Sequence, residues 1–363
     1  MKNLLLTAVS LLCTLLVMEG LTRLYYATGD RIPPHPDPGV RDEWRWAQEH
    51  LAAGKAEVEG LSGFDPMLGW REPGSLTDWI LRKSWSPPSD PFVDDGQERT
   101  LFIGDSFTAG LYVEPNQAFA YGYGEHFSPQ SRTINLGVSG YGLDQMLLLY
   151  EEVGPQLHAD RVVLGFYLGG FERALSGFTY YAKPRFELAP HNGTLELLGQ
   201  PVASPQALYD RYRTGEERIG VGSASVLWQA STAAWKRWQR RGVFRDSNSS
   251  DWQLLAALFR RFHVTARRLD DQPILLIIPT RLESFDDSIE QDLETRVLDL
   301  GCALGWVTVS LPLQFRRVQA ERPETPLFRQ REDGGHFSVE GHRLAAQVLA
   351  SALEGRDACT EHR

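Results

Sequence analysis

Short apolar runs recur along the chain at 100–103, 132–138, 161–168, 273–279 and 306–311. They are rich in Val, Ile, Leu and Phe and alternate little with polar residues, the pattern of strands buried on both faces. The segments between them carry helical periodicity. "GLDQMLLLYEEVGPQL" sets Leu143, Met146, Leu147 and Tyr150 on one side, and "DWQLLAALFRRFHVTARRLD" does the same with Leu255, Leu258, Phe259 and Phe262. "IEQDLETRVLDLGCALG" and "EGHRLAAQVLASALEG" complete the set. Strands alternating with helices predict an α/β fold, a doubly wound, flavodoxin-like parallel sheet of about five strands.

Two regions break this alternation. Residues 171–250 are too long for one crossover and read as an insertion near the C-terminal edge of the sheet. Within it, "PRFELAPHNGTLELLGQPV" predicts a hairpin turning at Asn192-Gly193, and "SASVLWQASTAAWKRWQRRGVFR" predicts a helix with Trp228, Trp235 and Trp238 at helical spacing. That stripe reads first as core cover, with a substrate platform or a membrane-surface face as alternatives. The other region is the N-terminus, "MKNLLLTAVSLLCTLLVMEGLTRLYY". Lys2 precedes an apolar run over 4–18, Glu19 interrupts it, and Tyr25 and Tyr26 close it. The segment can reach across a bilayer, which needs about 20 helical residues, and tyrosines suit the headgroup zone. No small-x-small cleavage site follows, so an uncleaved signal-anchor is expected, with the domain outside the cytoplasm.

The predicted organisation is a membrane helix over 1–28, a linker and N-terminal extension over 29–98, the α/β domain over 99–354 and a tail over 355–363. "GDRIPPHPDPG" at 29–39 predicts an extended, solvated spacer. Residues 41–59 predict a short charged helix, and the turn-rich stretches "FDPMLGWREPGS" and "SWSPPSDPF" predict aromatics lying on the domain surface.

Composition narrows the class. The chain has 363 residues, 42% hydrophobic, enough for a large packed core, and its formal net charge of -10 argues against a nucleic-acid partner. Cys13, Cys302 and Cys359 show no metal spacing. The last two could pair in an exported chain, but the expectation is a buried Cys302 and a loose Cys359.

In an open parallel sheet the reactive crevice lies beyond the C-terminal strand ends. Ser106 follows the first strand in "FIGDSFTAG", Gly137 the second in "INLGVSGYG", and Gly170 the third in "LGGFER". Before the last helix, "REDGGHFSVEGH" carries Asp333 and His336, close enough for one turn to unite them. A serine hydroxyl needs a base to take its proton, and an acid on the far imidazole nitrogen fixes the tautomer. The amides of Ser106 and Gly137 could receive the developing oxyanion. Ser106 as a simple turn residue, His336 as a surface histidine, Asp333 as a cap and Gly137 as a packing glycine are the bland counterparts. His342 reads as a helix-surface residue.

These blocks, in this order, resemble the SGNH (GDSL-type) hydrolases over about residues 64–354, and "FDPMLGW" with the apolar N-terminus is similar to a membrane-anchored bacterial branch of that family. The resemblance implies Ser106 as nucleophile, His336 as base, Asp333 as its partner and Gly137 as oxyanion donor, with Asp105 fixing the turn. It implies a carboxylic ester hydrolase needing no metal or organic cofactor, acting on small-molecule or glycan esters, with envelope carbohydrate or lipid acyl groups as substrates. The third block departs: where the family places Asn-Asp, this chain has Gly170-Phe171, so the asparagine donor is missing. A Gly170 amide or a residue of the 171–250 insertion would have to replace it. Two other functions therefore stand beside ester hydrolysis: an O-acyltransferase with a sugar hydroxyl in place of water, and a non-catalytic glycan-binding or scaffold protein.

Overall fold

A computed structural model describes residues 2–27, 31–56, 63–219, 225–240, 246, 248–280, 288–329, 335–355 and 359, with side chains at 2–4, 27, 236–240 and 288–290 excepted. Five strands form the central sheet: β1 (Arg99–Gly104), β2 (Arg132–Asn135), β3 (Arg161–Tyr167), β4 (Gln272–Ile278) and β5 (Val307–Ser310). All pairings are parallel, in the order β2-β1-β3-β4-β5. This is the doubly wound, flavodoxin-like arrangement, and its order reverses between β1 and β3, opening a crevice at their C-terminal ends.

The strands lack sequence alternation because both faces are covered. Leu101, Ile103, Val162, Leu164, Leu275 and Ile277 point to one layer, against the helices Leu143–Leu157 and Ser250–Leu269. Their neighbours Phe102, Val163, Ile274, Leu276 and Ile278 point to the other, with the helices Phe119–Phe127 and Val339–Leu353. Arg99 starts β1 fully buried, its guanidinium donating to the carbonyls of Pro91, Leu157 and Val93 and to Asp95. Its charge is thus satisfied where β1 enters the core.

The N-terminal extension joins this core. The Pro-rich stretch is not a solvated spacer: Ile32 and Val40 pack against the main cluster, and Asp37 accepts from Gly39 N–H to cap the helix Pro38–Ala53. Of the aromatics in the two turn-rich stretches, Trp70 is fully buried, Trp85 and Phe92 are half-buried and Phe64 is 37% exposed. A short hairpin of Gly63–Asp65 and Gly69–Arg71 brings Trp70 in.

The insertion contains the expected hairpin, Arg185–Leu188 paired with Leu195–Leu198, turning at Asn192-Gly193 with Gly193 at φ 66°. A helix Pro205–Thr214 was not foreseen. The tryptophan helix spans Val226–Arg240, but core cover does not describe it: Trp228 is 71% and Trp235 55% exposed. The side chain of Trp238 lies outside the described residues. The N-terminal helix Lys2–Ala27 carries an apolar stretch, Leu5–Tyr26, with mean hydropathy 1.9, none of which is buried among the described residues. Its Glu19 accepts from Ser225 Oγ and from the N–H groups of Val226 and Leu227, capping the tryptophan helix. Cys302 and Cys359 form a disulfide, so Cys359 is not loose but bonded to the helix Ser288–Ala303.

Candidate active site

β1 ends at Gly104, and Asp105 caps a single helical turn, Ser106–Ala109, by accepting from Phe107 N–H at 3.0 Å. The turn sits low on the sheet because Gly104 and Gly165 are register partners across β1 and β3. A Cβ at either would lie 2.0 or 2.3 Å from Thr108 Oγ1, so the two glycines make room for that side chain. Ser106 is thereby held at the switch point, 4% exposed.

The opposite wall comes from far along the chain. Phe328 bridges Phe337, Arg329 N–H donates to His336 O, and Ser338 N–H donates to Leu327 O. Ser338 then caps the last helix by accepting from Gly341 N–H. This short ladder fixes the half-buried His336, whose ring stacks on Phe107 at 4.8 Å and meets the edge of Tyr112 at 5.3 Å. Its Nε2 lies 2.8 Å from Ser106 Oγ. With the proton assigned to Nδ1, Nε2 accepts from the serine hydroxyl, the arrangement a general base requires. Asp333 lies outside the described residues.

Gly137 is buried in the loop after β2, but its N–H donates to Asn135 Oδ1 at 3.0 Å. That donor is engaged within its own loop. Asn135 also donates from Nδ2 to Thr108 O, tying the loop to the serine turn. The lack of a side chain at 137 serves close packing: a Cβ there would lie 2.3 Å from Ala109 N. Three residues on, Gly140 adopts φ 83° in a turn closed by Tyr141 N–H to Val138 O. Among the described residues neither the Gly140 N–H nor the Ser106 N–H has a hydrogen-bond partner. The peptide before Gly140 is oriented by Trp70, whose Nε1–H donates to Ser139 O at 2.9 Å, while Tyr141 O–H donates to Trp70 O. In a trans peptide the Gly140 N–H then points away from Trp70.

Gly170 is buried in a 3₁₀ stretch, Leu168–Leu175, where a Cβ would lie 3.0 Å from the Tyr167 ring and 3.4 Å from Arg173 Nη1. Arg173 Nη1 donates to Asp105 Oδ2 at 2.9 Å and to Tyr141 O at 3.4 Å. Burial pushes the Asp105 carboxyl up from its ordinary range, and the Arg173 charge opposes that shift. His342 is not a surface residue. It is buried, accepts from Phe119 N–H at Nδ1 and stacks on Phe119, and burial drives its pKa down to about 3. Asn135, Gly140, Trp70 and Arg173 were missed as site residues; the left-handed glycine of "SGYG" and the lone arginine after "LGGF" were the available signals.

No protein-family model and no curated protein matches this chain. Solved structures with a similar fold include TesA, at 12% identity over 71% of this chain and 99% of that one, TM-score 0.41. A lipase/acylhydrolase from Enterococcus faecalis aligns at 15% identity over 72% and 97% of the two chains, TM-score 0.39. A catalytic mutant of Axe2, an acetylxylan esterase from Geobacillus stearothermophilus, aligns at 16% identity over 72% and 96%, TM-score 0.41. The likeness is one of fold.

Proposed function

We propose that this chain is a membrane-anchored serine hydrolase that cleaves acyl esters through an acyl-enzyme. The observation that supports it is the 2.8 Å contact between His336 Nε2 and Ser106 Oγ, residues 230 positions apart, together with two backbone donors that have no partner among the described residues. Ser106 Oγ attacks the acyl carbon as its proton passes to His336 Nε2, and the carbonyl π pair moves onto oxygen. The Ser106 and Gly140 N–H groups receive that oxyanion, each such donor being worth about 3 kcal/mol. Collapse breaks the bond to the alcohol, which leaves with the proton from His336. Water, deprotonated by the same imidazole, then releases the acid and regenerates Ser106. Asp333, by resemblance, partners the imidazole and stabilises its cation. The substrates proposed are acyl esters of envelope carbohydrate or lipid.

The anchor reading rests on the uncovered apolar helix and gains from two further features. A Cys302–Cys359 pair suits an oxidising compartment outside the cytoplasm. The exposed Trp228 and Trp235 sit on a helix capped by Glu19 of the apolar helix, a placement that suits the bilayer interface. Turnover of 4-nitrophenyl acetate by the full chain in detergent tests the reaction. Loss in both Ser106→Ala and His336→Ala is expected, and turnover surviving either change overturns it. Acetyl transfer to an added oligosaccharide in place of release to water would redirect the reading to an O-acyltransferase.

A further inference from the structure

The third block lacks the asparagine expected there, yet a side-chain donor from the same stretch, Arg173, contacts the residue before Ser106. Arg173 leaves the 3₁₀ stretch after β3 and reaches across to two loops at once. It donates to Asp105, the residue before Ser106, and to Tyr141 O, the residue after Gly140. The guanidinium therefore bridges the two loops whose unpartnered N–H groups face the reacting oxygen in the proposed mechanism. Only Nη1 is engaged; among the described residues Nε and Nη2 make no hydrogen bond. The group is held, with its side chain 17% exposed and its Cζ 5.7 Å from the centre of the Tyr167 ring. That ring lies tilted against Phe107 at 4.6 Å, and Phe107 stacks on His336. Gly170 lies against the same group: a Cβ there would fall 3.4 Å from Nη1, at contact distance.

We infer that Arg173 is the third donor to the oxyanion, its free guanidinium N–H edge replacing the absent asparagine amide; the inference rests on the hydrolase reading above. No proton moves from Arg173, since a guanidinium stays charged throughout. It donates a charge-assisted hydrogen bond that strengthens as the carbonyl oxygen gains its negative charge. The Asp105 contact holds one end of the fork and leaves Nε and Nη2 to donate to the substrate, an arrangement a lysine ammonium cannot reproduce.

The test uses the full chain with 4-nitrophenyl acetate and, as a tetrahedral mimic, phenylboronic acid. Arg173→Lys retains a positive charge beside Asp105 but loses the fork. It is expected to lower kcat about 10²-fold with KM little changed, and to weaken phenylboronic acid in proportion to the loss in kcat/KM. The double variant Asp105→Asn/Arg173→Met removes the buried acid together with its partner, and should stay about 10²-fold below Asp105→Asn alone. Arg173→Lys with wild-type kcat and boronate affinity, or a double variant matching Asp105→Asn, would overturn the inference and leave the hydrolase reading standing. A folded wild-type chain without Ser106-dependent turnover would overturn both.

Discussion

Replacing Gly137 by alanine adds one methyl group at the place where the loop after β2 meets the serine turn. The new Cβ would lie 2.3 Å from Ala109 N, 2.7 Å from Thr108 C and 2.8 Å from Ala109 Cα, all backbone atoms that no rotamer change can clear. Ordinary contact needs roughly 1 Å more, so the loop and the turn must part by about that distance. Both are pinned, the loop to the turn through Asn135 Nδ2 to Thr108 O and to β1 through Leu136 N–H to Phe102 O. Overpacking of this kind costs about 1–3 kcal/mol, and a displacement of about 1 Å at a reacting group can cost about 10²-fold in rate. Gly122→Ala is the matched control: the same methyl on the helix Phe119–Phe127 would meet only Ala346 Cβ, at 3.8 Å. It should be neutral or raise stability by about 0.5–1 kcal/mol. The assay is ester turnover beside a denaturant melt for both variants. Gly137→Ala with the turnover and the melt of wild type would refute the claim that this glycine exists for backbone contact with the serine turn.

Further outcomes follow from other residues. Trp70→Phe keeps the buried ring but removes the N–H that orients the Ser139–Gly140 peptide; kcat should fall roughly tenfold with KM steady, and steady-state kinetics indistinguishable from wild type would count against a positioning role. His342 has a folded pKa of about 3, below the unfolded 6.5, so the unfolded chain takes up its proton first as pH falls. Its stabilising contribution is present above pH 6.5 and is lost on acidification toward pH 3, amounting to about 2 kcal/mol by pH 5. Denaturant melts at pH 7 and pH 5 should show that extra loss in wild type and not in His342→Asn.

The sheet was legible because burial on both faces leaves nothing for a strand to write except apolar residues. Ser106 and His336 were legible because each follows a strand end or precedes a helix in a short small-residue block. What stayed hidden depends on three-dimensional pairing. Gly137 and Gly140 are alike as letters; they differ in that one N–H finds Asn135 and the other has no partner among the described residues. Arg173 is one charge among several in the 171–250 stretch, and its pairing with Asp105 exists only in three dimensions. His342 has polar letters around it, but its helix turns that face toward Phe119 and Phe337, where the ring is buried. Trp70 sits in a turn-rich stretch whose composition reads as surface, yet its indole finds a carbonyl in the loop after β2. The Cys302–Cys359 pair joins a helix to the distant tail, a separation of 57 residues that spacing alone does not decode.

The central claim is that His336 activates Ser106 as a nucleophile. Labelling of the folded full chain with a fluorophosphonate probe, with the adduct located by peptide mass spectrometry, tests it most directly. The account predicts one adduct on Ser106, lost in Ser106→Ala and strongly slowed in His336→Ala while both variants keep the wild-type melt. A folded wild-type chain that stays unlabelled, or one labelled equally well without His336, would contradict it.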